Sequence, residues 1–442
     1  MRGIEAALKV LTSSELNTGK FASESLRKLA DRERMKAPDI TLASSLIYIF
    51  MRRKELWEKI ADRFIRAHEK LPDSVYMSMV TGAGGLTELR RFSDGVLING
   101  IIENLRKNKS HSKYIGLVNA VLRKVSENGE KLLNEIKTSN AIEDRALYAG
   151  VPLWSLPAWF RTWSMSELRE LFDMMTQSTY SSLRVSPGMT DDMMNILNSS
   201  DIKAYPSDIS PALRLNQSIL PVSIPGFNEG KCTVQSESSI ITASIVKKFY
   251  SDGIILDMCS GRGIKAGQIL QENENANLEC WELSENRSRS AERELMRLNV
   301  IDRAKLKTGD ALTLEPDNMP LFIVLDAPCS CSGTWNRKPE SKWRLDWKKL
   351  DAFADTQKKL LERALTLCRS GGHVLYITCS LLKHENENVI AEVLACHSEC
   401  TEISSLIDMK GNAFRRGKPY GFYIMPCNSW LDGFYCSLIM KR

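Results

Sequence analysis

The first 231 residues contain no cysteine, and all eleven cysteines lie at or after Cys232. An odd number of thiols in a long chain argues against a disulfide framework. Long apolar runs are also missing, since no uninterrupted stretch is long enough to span a bilayer. The opening MRGIEAALKVLTSSEL has neither a signal-like apolar block nor a small-residue cleavage site. A cytoplasmic protein with no membrane partner is therefore expected. Zinc-type spacing is absent too. Cys329-x-Cys331 and Cys396-His397-x-x-Cys400 come nearest, but neither has the CxxC interval, and no metal is expected. No apolar surface stripe is left unassigned, which favours a monomer.

What is present is ordinary in bulk and uneven in place. At 442 residues, 43% hydrophobic and 26% charged, the chain suits two or three soluble domains. Between Arg90 and Lys124 stand eight basic residues (Arg90, Arg91, Arg106, Lys107, Lys109, Lys113, Arg123, Lys124) against Asp94 and Glu103. That surplus equals the net charge of the whole chain, +6, so the remainder is neutral. A concentrated basic surface suits a phosphate backbone, although a solvated helix face would carry the same residues.

Residues 1–135 carry helical periodicity. Leu42, Leu46, Ile49 and Phe50 share a face, Leu97, Ile101 and Leu105 recur every four residues, and Val118, Val121, Leu122 and Val125 form another stripe. Breaks are expected at Leu71-Pro72-Asp73 and Gly82-Ala-Gly-Gly85. Residues 136–230, rich in proline and tryptophan and then in short β-prone pieces, read as a small α+β connecting subdomain. From 231 to 442, strand-like and helical runs alternate as in a doubly wound α/β sheet.

In that last region the polar residues fall at strand ends. IILDMCS, LECWEL, AKLKTG, LFIVLDAPC and HVLYITCS place Asp257, Glu282, Asp310, Asp326 and Cys379 at or just beyond the carboxyl ends of successive strands, where open α/β sheets bind ligands. Gly261 and Gly263 let backbone approach a ligand. No third glycine stands at dinucleotide spacing and Ala266 follows Lys265, so neither a dinucleotide loop nor a Walker A loop is present. Glu282, 25 residues after Asp257, suits ribose hydroxyls, and Asp310 an adenine amine. Adenosine without a pyrophosphate grip points to S-adenosylmethionine. Cys329 and Cys379, 50 residues apart, each end a strand-like run, and two thiols beside Asp326 suit attack on an electron-poor ring.

DMCSGRGIK, DAPCSCSGTWNRKPESKW and TCSLLKHENENV resemble the signature segments of the RNA 5-methylcytosine methyltransferases of the RsmB/Nop2/Sun family. The N-terminal helices, ending in LVNAVLRKV, resemble the NusB-like domain of its RsmB-type members. VPLWSLPAWF, TVQSESS and DGFYCSLIMK have counterparts as well, so the likeness spans nearly the whole chain. It implies a C-terminal Rossmann-like class I S-adenosylmethionine-dependent methyltransferase domain behind an all-helical NusB-like domain. The implied activity is methylation of cytosine C5 in RNA, with 16S-type rRNA the expected partner and tRNA the other substrate in view.

By the same resemblance Cys379 is the nucleophile at C6, Asp326 holds the cytosine edge, and Cys329 assists proton removal and release, with Lys265 beside them. The implied cofactor residues are Asp257, Cys259, Ser260, Gly261, Gly263, Lys265, Glu282, Arg287, Asp310, Ala311 and Asp326. Arg90, Arg91, Arg106, Lys107, Arg123, Lys124, Arg337 and Lys338 are the expected RNA contacts, with Trp335 a base-stacking candidate. The chain departs from the family at Arg262 and Ile264, which replace a proline and a glycine of the cofactor loop, and at Cys331, where glycine is usual. A DNA cytosine-5 methyltransferase, with Cys329 as nucleophile, and a catalytically silent RNA-binding assembly factor are the competing readings.

Overall fold

The structure, a computed structural model, describes residues 2–13, 22–89, 92–217 and 219–442. They form two compact units. One holds the chain up to Pro157 with Ser164–Thr176 and Trp335–Asp346; the other holds Ala158–Trp163, Gln177–Thr334 and Trp347–Arg442.

The first unit is helical. Its helices include Arg2–Leu11, Ala22–Glu33, Ala37–Asp62, Asp73–Glu88, Asp94–Arg106 and Ile115–Thr138. The expected stripes form its core: Leu46, Phe50, Leu97, Ile101, Val118 and Leu122 are buried together with Trp57. Pro72 precedes a helix start, as expected. Gly82-Ala-Gly-Gly85 does not break the chain, because helix Asp73–Glu88 runs straight through it. The glycines are there for contact rather than for turning. A Cβ on Gly82 would stand 2.5 Å from Leu122 Cδ2, one on Gly84 2.9 Å from Ile49 Cγ2, and one on Gly85 2.9 Å from Leu46 Cδ2. Close packing of neighbouring helices outweighs the helix cost of glycine, about 1 kcal/mol each.

The same unit contains a segment that sequence patterning assigns to the α/β region. Helix Ala37–Asp62 is kinked at Arg53 (φ −142°, ψ 42°), which disrupts its hydrogen-bond ladder. Trp343 Nε1 donates to the carbonyl of Met51 at this kink. Lys342 Nζ donates to Arg52 O at 2.7 Å and to Gly150 O at 2.5 Å. Gly150 is required here: its φ is +76°, and a Cβ would lie 2.1 Å from Arg52 O. Lys342 is fully buried, and burial beside Arg52 and Arg53 holds its ammonium well below the usual lysine value.

The second unit carries two sheets. Ala204–Pro206, Ala212–Leu215, Ser182–Val185 and Cys232–Val234 form a small antiparallel sheet in that order. The large sheet has nine strands. Its main path runs Phe414–Arg416, Phe422–Ile424, Phe434–Lys441, His373–Thr378, Phe322–Asp326, Ile254–Asp257, Asn277–Glu282, Ala304–Thr308, and Cys400–Glu402 pairs beside Phe434–Lys441. The last five strands of that path are parallel, whereas Phe434–Lys441 runs antiparallel to His373–Thr378. Strand order reverses between Ile254–Asp257 and Phe322–Asp326, which opens a crevice beyond their carboxyl ends. No helix among the described residues is long and apolar enough to cross a membrane.

Replacing Lys342 with Met keeps the aliphatic stem but strands two buried carbonyls. We expect a loss of roughly 2–4 kcal/mol in denaturant unfolding; an unchanged midpoint would contradict the anchoring role.

Candidate active site

Five strands deliver their polar ends to the crevice as the patterning requires. Asp257 closes its strand and is 1% exposed. Burial, reinforced by the charge of Asp326 and opposed by that of Lys265, pushes its carboxyl up to about 7. Its Oδ1 is buried without a hydrogen-bond partner. A buried, unmatched acceptor at a strand end suits a ligand donor or a cationic group.

The loop after Asp257 is pinned from the neighbouring strand. Ser260 donates its backbone N–H to Trp281 O at 2.9 Å, and Gly261 N–H reaches Glu282 Oε2 at 3.0 Å. Gly261 has φ +60° with open space where a Cβ would stand. Gly263 has φ +75°, and a Cβ there would meet Ala291 at 3.0 Å. Arg262 is exposed and Ile264 begins helix Ile264–Glu272, so the two departures leave both glycines in place. Glu282 is 5% exposed, and its Oε1 also accepts from Ser284 N (2.8 Å) and pairs with Arg287 Nη2 (2.7 Å). Three of about four acceptor positions are thus committed to the protein. Cys259 is half-buried, and burial with the nearby Asp257 raises its thiol. Asp310 is exposed and caps its own turn through Leu312 N (3.0 Å), while Ala311 is buried.

Opposite this loop stand the thiols. Lys265 Nζ lies 2.6 Å from Asp326 Oδ2 and 5.5 Å from the centre of the Phe434 ring. Burial alone would lower the Lys265 ammonium, but Asp326 and Asp257 more than offset it and hold the lysine above its ordinary value. Cys329 and Cys379 approach to 3.4 Å between sulfurs. Hydrogen bonding with Cys331 and Cys379, together with burial, pushes the Cys329 thiol well above its usual range.

A residue outside the expected site organises both cysteines. Glu385 is fully buried. Its Oε1 accepts from Ser330 N (2.7 Å) and Gln357 Nε2 (3.1 Å), and its Oε2 accepts from Ser330 Oγ (2.5 Å) and Ser380 Oγ (2.6 Å). One carboxylate thus holds the residue following each thiol. Gly333 N–H donates to Cys379 O at 3.0 Å, and a Cβ on Gly333 would stand 2.0 Å from Gly433 O. Trp163 Nε1 donates to Leu381 O at 2.9 Å, so the AWFRTW segment braces the loop after Cys379. Nothing in the local pattern HENEN marks Glu385, because its partner Ser330 lies 55 residues earlier.

The expected RNA contacts fall elsewhere. Arg106, Lys107, Arg123 and Lys124 are exposed on the helical unit. Arg337 and Lys338 belong to that same unit, the first half-buried and the second exposed. Arg90 and Arg91 lie outside the described residues. Trp335 is wholly buried, which leaves no ring face for a base and overturns its stacking role.

The parallel sheet with an antiparallel strand beside it and the crevice at its order reversal define a class I methyltransferase fold. Residues 245–440 match the family described as 16S rRNA methyltransferase RsmB/F, and residues 4–127 match the NusB family. The ribosomal RNA small subunit methyltransferase B of Proteus mirabilis is 29% identical over 337 residues, covering 74% of this chain and 73% of the relative. The probable enzyme of that name from Coxiella burnetii is 28% identical over 341 residues, 74% of this chain and 75% of its own. Among solved structures, that of PH0851 superposes with a TM-score of 0.77 at 20% identity, covering 100% of this chain and 98% of that one. A methyltransferase homolog from Pyrococcus horikoshii gives 0.58 at 22%, covering 69% and 100%. The chain thus carries an RsmB/F-type RNA methyltransferase domain over residues 245–440 and a NusB-family domain over residues 4–127.

Two outcomes follow from this geometry. Glu385→Ala orphans three or more buried donors and should cost about 3 kcal/mol or more in unfolding; a neutral result would show the network to be dispensable. For Asp257 the folded pKa is raised, so its ionisation destabilises the fold as pH climbs from about 4 toward 7. Asp257→Asn should therefore gain melting temperature relative to the parent as pH rises through that window, and a pH-independent difference would refute the assignment.

Proposed function

We propose that this protein methylates C5 of one cytosine in RNA, with 16S-type rRNA as substrate, through a covalent Cys379–C6 adduct. The observation that carries the reading is the 3.4 Å approach of Cys329 and Cys379 next to the Lys265–Asp326 pair. Cofactor fit is supported by the unmatched Asp257 Oδ1, the open face at Gly261 and the run of acids around them. Asp257, Gly261, Gly263 and Glu282, with Asp310 and Ala311 beyond, are the residues that would hold S-adenosylmethionine. When bound, it supplies an electrophilic sulfonium methyl group.

Cytosine C5 is too weak a nucleophile to react unaided. The Cys379 thiolate forms a bond to C6, and the displaced π-electrons make C5 enamine-like. Lys265, held cationic by its acidic neighbours, lies close enough to feel the Cys379 charge and favours the thiolate. It engages Asp326 through Oδ2; Oδ1 has no hydrogen-bond partner among the described residues and is available to the base edge, where charge develops at N3. After methylation Cys329, its own proton first released to solvent, takes the C5 proton; the C5–H electron pair rebuilds the C5–C6 double bond and the S–C6 pair leaves on Cys379 as thiolate. Cys329, poised at 3.4 Å, assists that step. The base must be unpaired or flipped for C6 to be reached.

With RNA carrying 5-fluorocytosine, Cys379→Ala should form no adduct, whereas Cys329→Ala should accumulate one. Trapping by the first variant and not the second would reverse the roles. Bisulfite sequencing of RNA from cells with and without the gene should show one cytosine losing protection in small-subunit rRNA; loss confined to tRNA would overturn the substrate.

A further inference from the structure

Sequence spacing sets Cys329-x-Cys331 against Cys396-His397-x-x-Cys400 as a pairing to consider. The fold instead gives Cys331 to the reactive pair: the sulfurs of Cys329, Cys331 and Cys379 all lie within 4.8 Å of one another. Cys331 is also held at φ +60°. Glycine would adopt that conformation freely, whereas a side chain costs about 1 kcal/mol or more there. A strained third thiol therefore leans over the site, with Cys331 and Cys379 partly open to solvent and Cys329 behind them.

We propose that Cys329, Cys331 and Cys379 constitute a binding site for one thiophilic d10 cation of the Zn(II) or Cd(II) class, and that its occupation withholds Cys379 from RNA. Zinc–thiolate bonds of about 2.3 Å place sulfurs roughly 3.8 Å apart in a tetrahedral site. The observed spread, from 3.4 Å for Cys329–Cys379 to no more than 4.8 Å, brackets that spacing. On binding, each thiol loses its proton to solvent, a metal–sulfur bond forms as an aqua ligand leaves, and water keeps the fourth position. No electron changes hands. A soft cation suits three thiolate ligands. The Glu385 tether sets Ser330 and Ser380 in place, so two of the three ligands are preorganised. The inhibitory half of the proposal rests on Cys379 being the nucleophile; the binding half does not.

The full chain, freed of metal and kept reduced with a phosphine, is titrated with Cd(II) while thiolate-to-metal charge-transfer absorbance is followed in the ultraviolet. One ion per chain is expected. Cys331→Gly, which suits the backbone, and Cys331→Ser as a second variant should each weaken binding by about tenfold or more. Absent charge-transfer absorbance, or unchanged affinity in both variants, would overturn the site. In a methyl-transfer assay, Zn(II) should inhibit the parent at levels that leave Cys331→Gly active, and a chelator should restore activity. Inhibition reversed by reductant and not by chelator would mean a disulfide and sink the proposal. Tight binding with undiminished methyl transfer would instead remove Cys379 from its role as nucleophile.

Discussion

A single buried carboxylate fixes the distance on which the site depends. The thiols of Cys329 and Cys379 come from loops after two adjacent parallel strands, and strand pairing alone sets only where those loops begin. Glu385 sets where they go, by accepting from Ser330 and Ser380, each one residue past a thiol. Burial pushes its carboxyl up, while four donors from three residues act to keep it ionised. Such a network is costly to leave incomplete, so the loops have one arrangement in which every donor is matched.

Around that fixed pair the electrostatics divide the labour between two like groups. Cys329 is buried among other sulfurs, which push its thiol up, whereas Cys379 lies within the field of a lysine kept cationic by acids. In the proposed mechanism the first is the thiol that assists release and the second the nucleophile. Environment rather than residue type assigns the roles.

The α/β architecture and the rim acids were legible in sequence because strand ends are marked by a change from apolar runs to Asp, Glu or Cys, as at Asp257 and Asp326. The helical stripes were legible for a similar reason. What sequence did not reveal depends on contacts across the chain. Gly82 to Gly85 looked like a breaker, since a local pattern cannot show Leu122 and Leu46 pressing against the helix. Trp335 looked available beside Arg337, yet its burial is a property of the folded unit. Glu385 was not singled out, since Ser330, which the fold sets against it, lies 55 residues earlier.

The strand Phe434–Lys441 follows every other strand of the large sheet in sequence, yet it lies inside the sheet, between His373–Thr378 and Phe422–Ile424. Gly433, just before it, is joined to Gly333 by a hydrogen bond, and Phe434 lies beneath Lys265. During synthesis the thiols therefore exist long before the frame that aligns them. A chain still emerging has its cysteines but lacks the seam that closes the sheet.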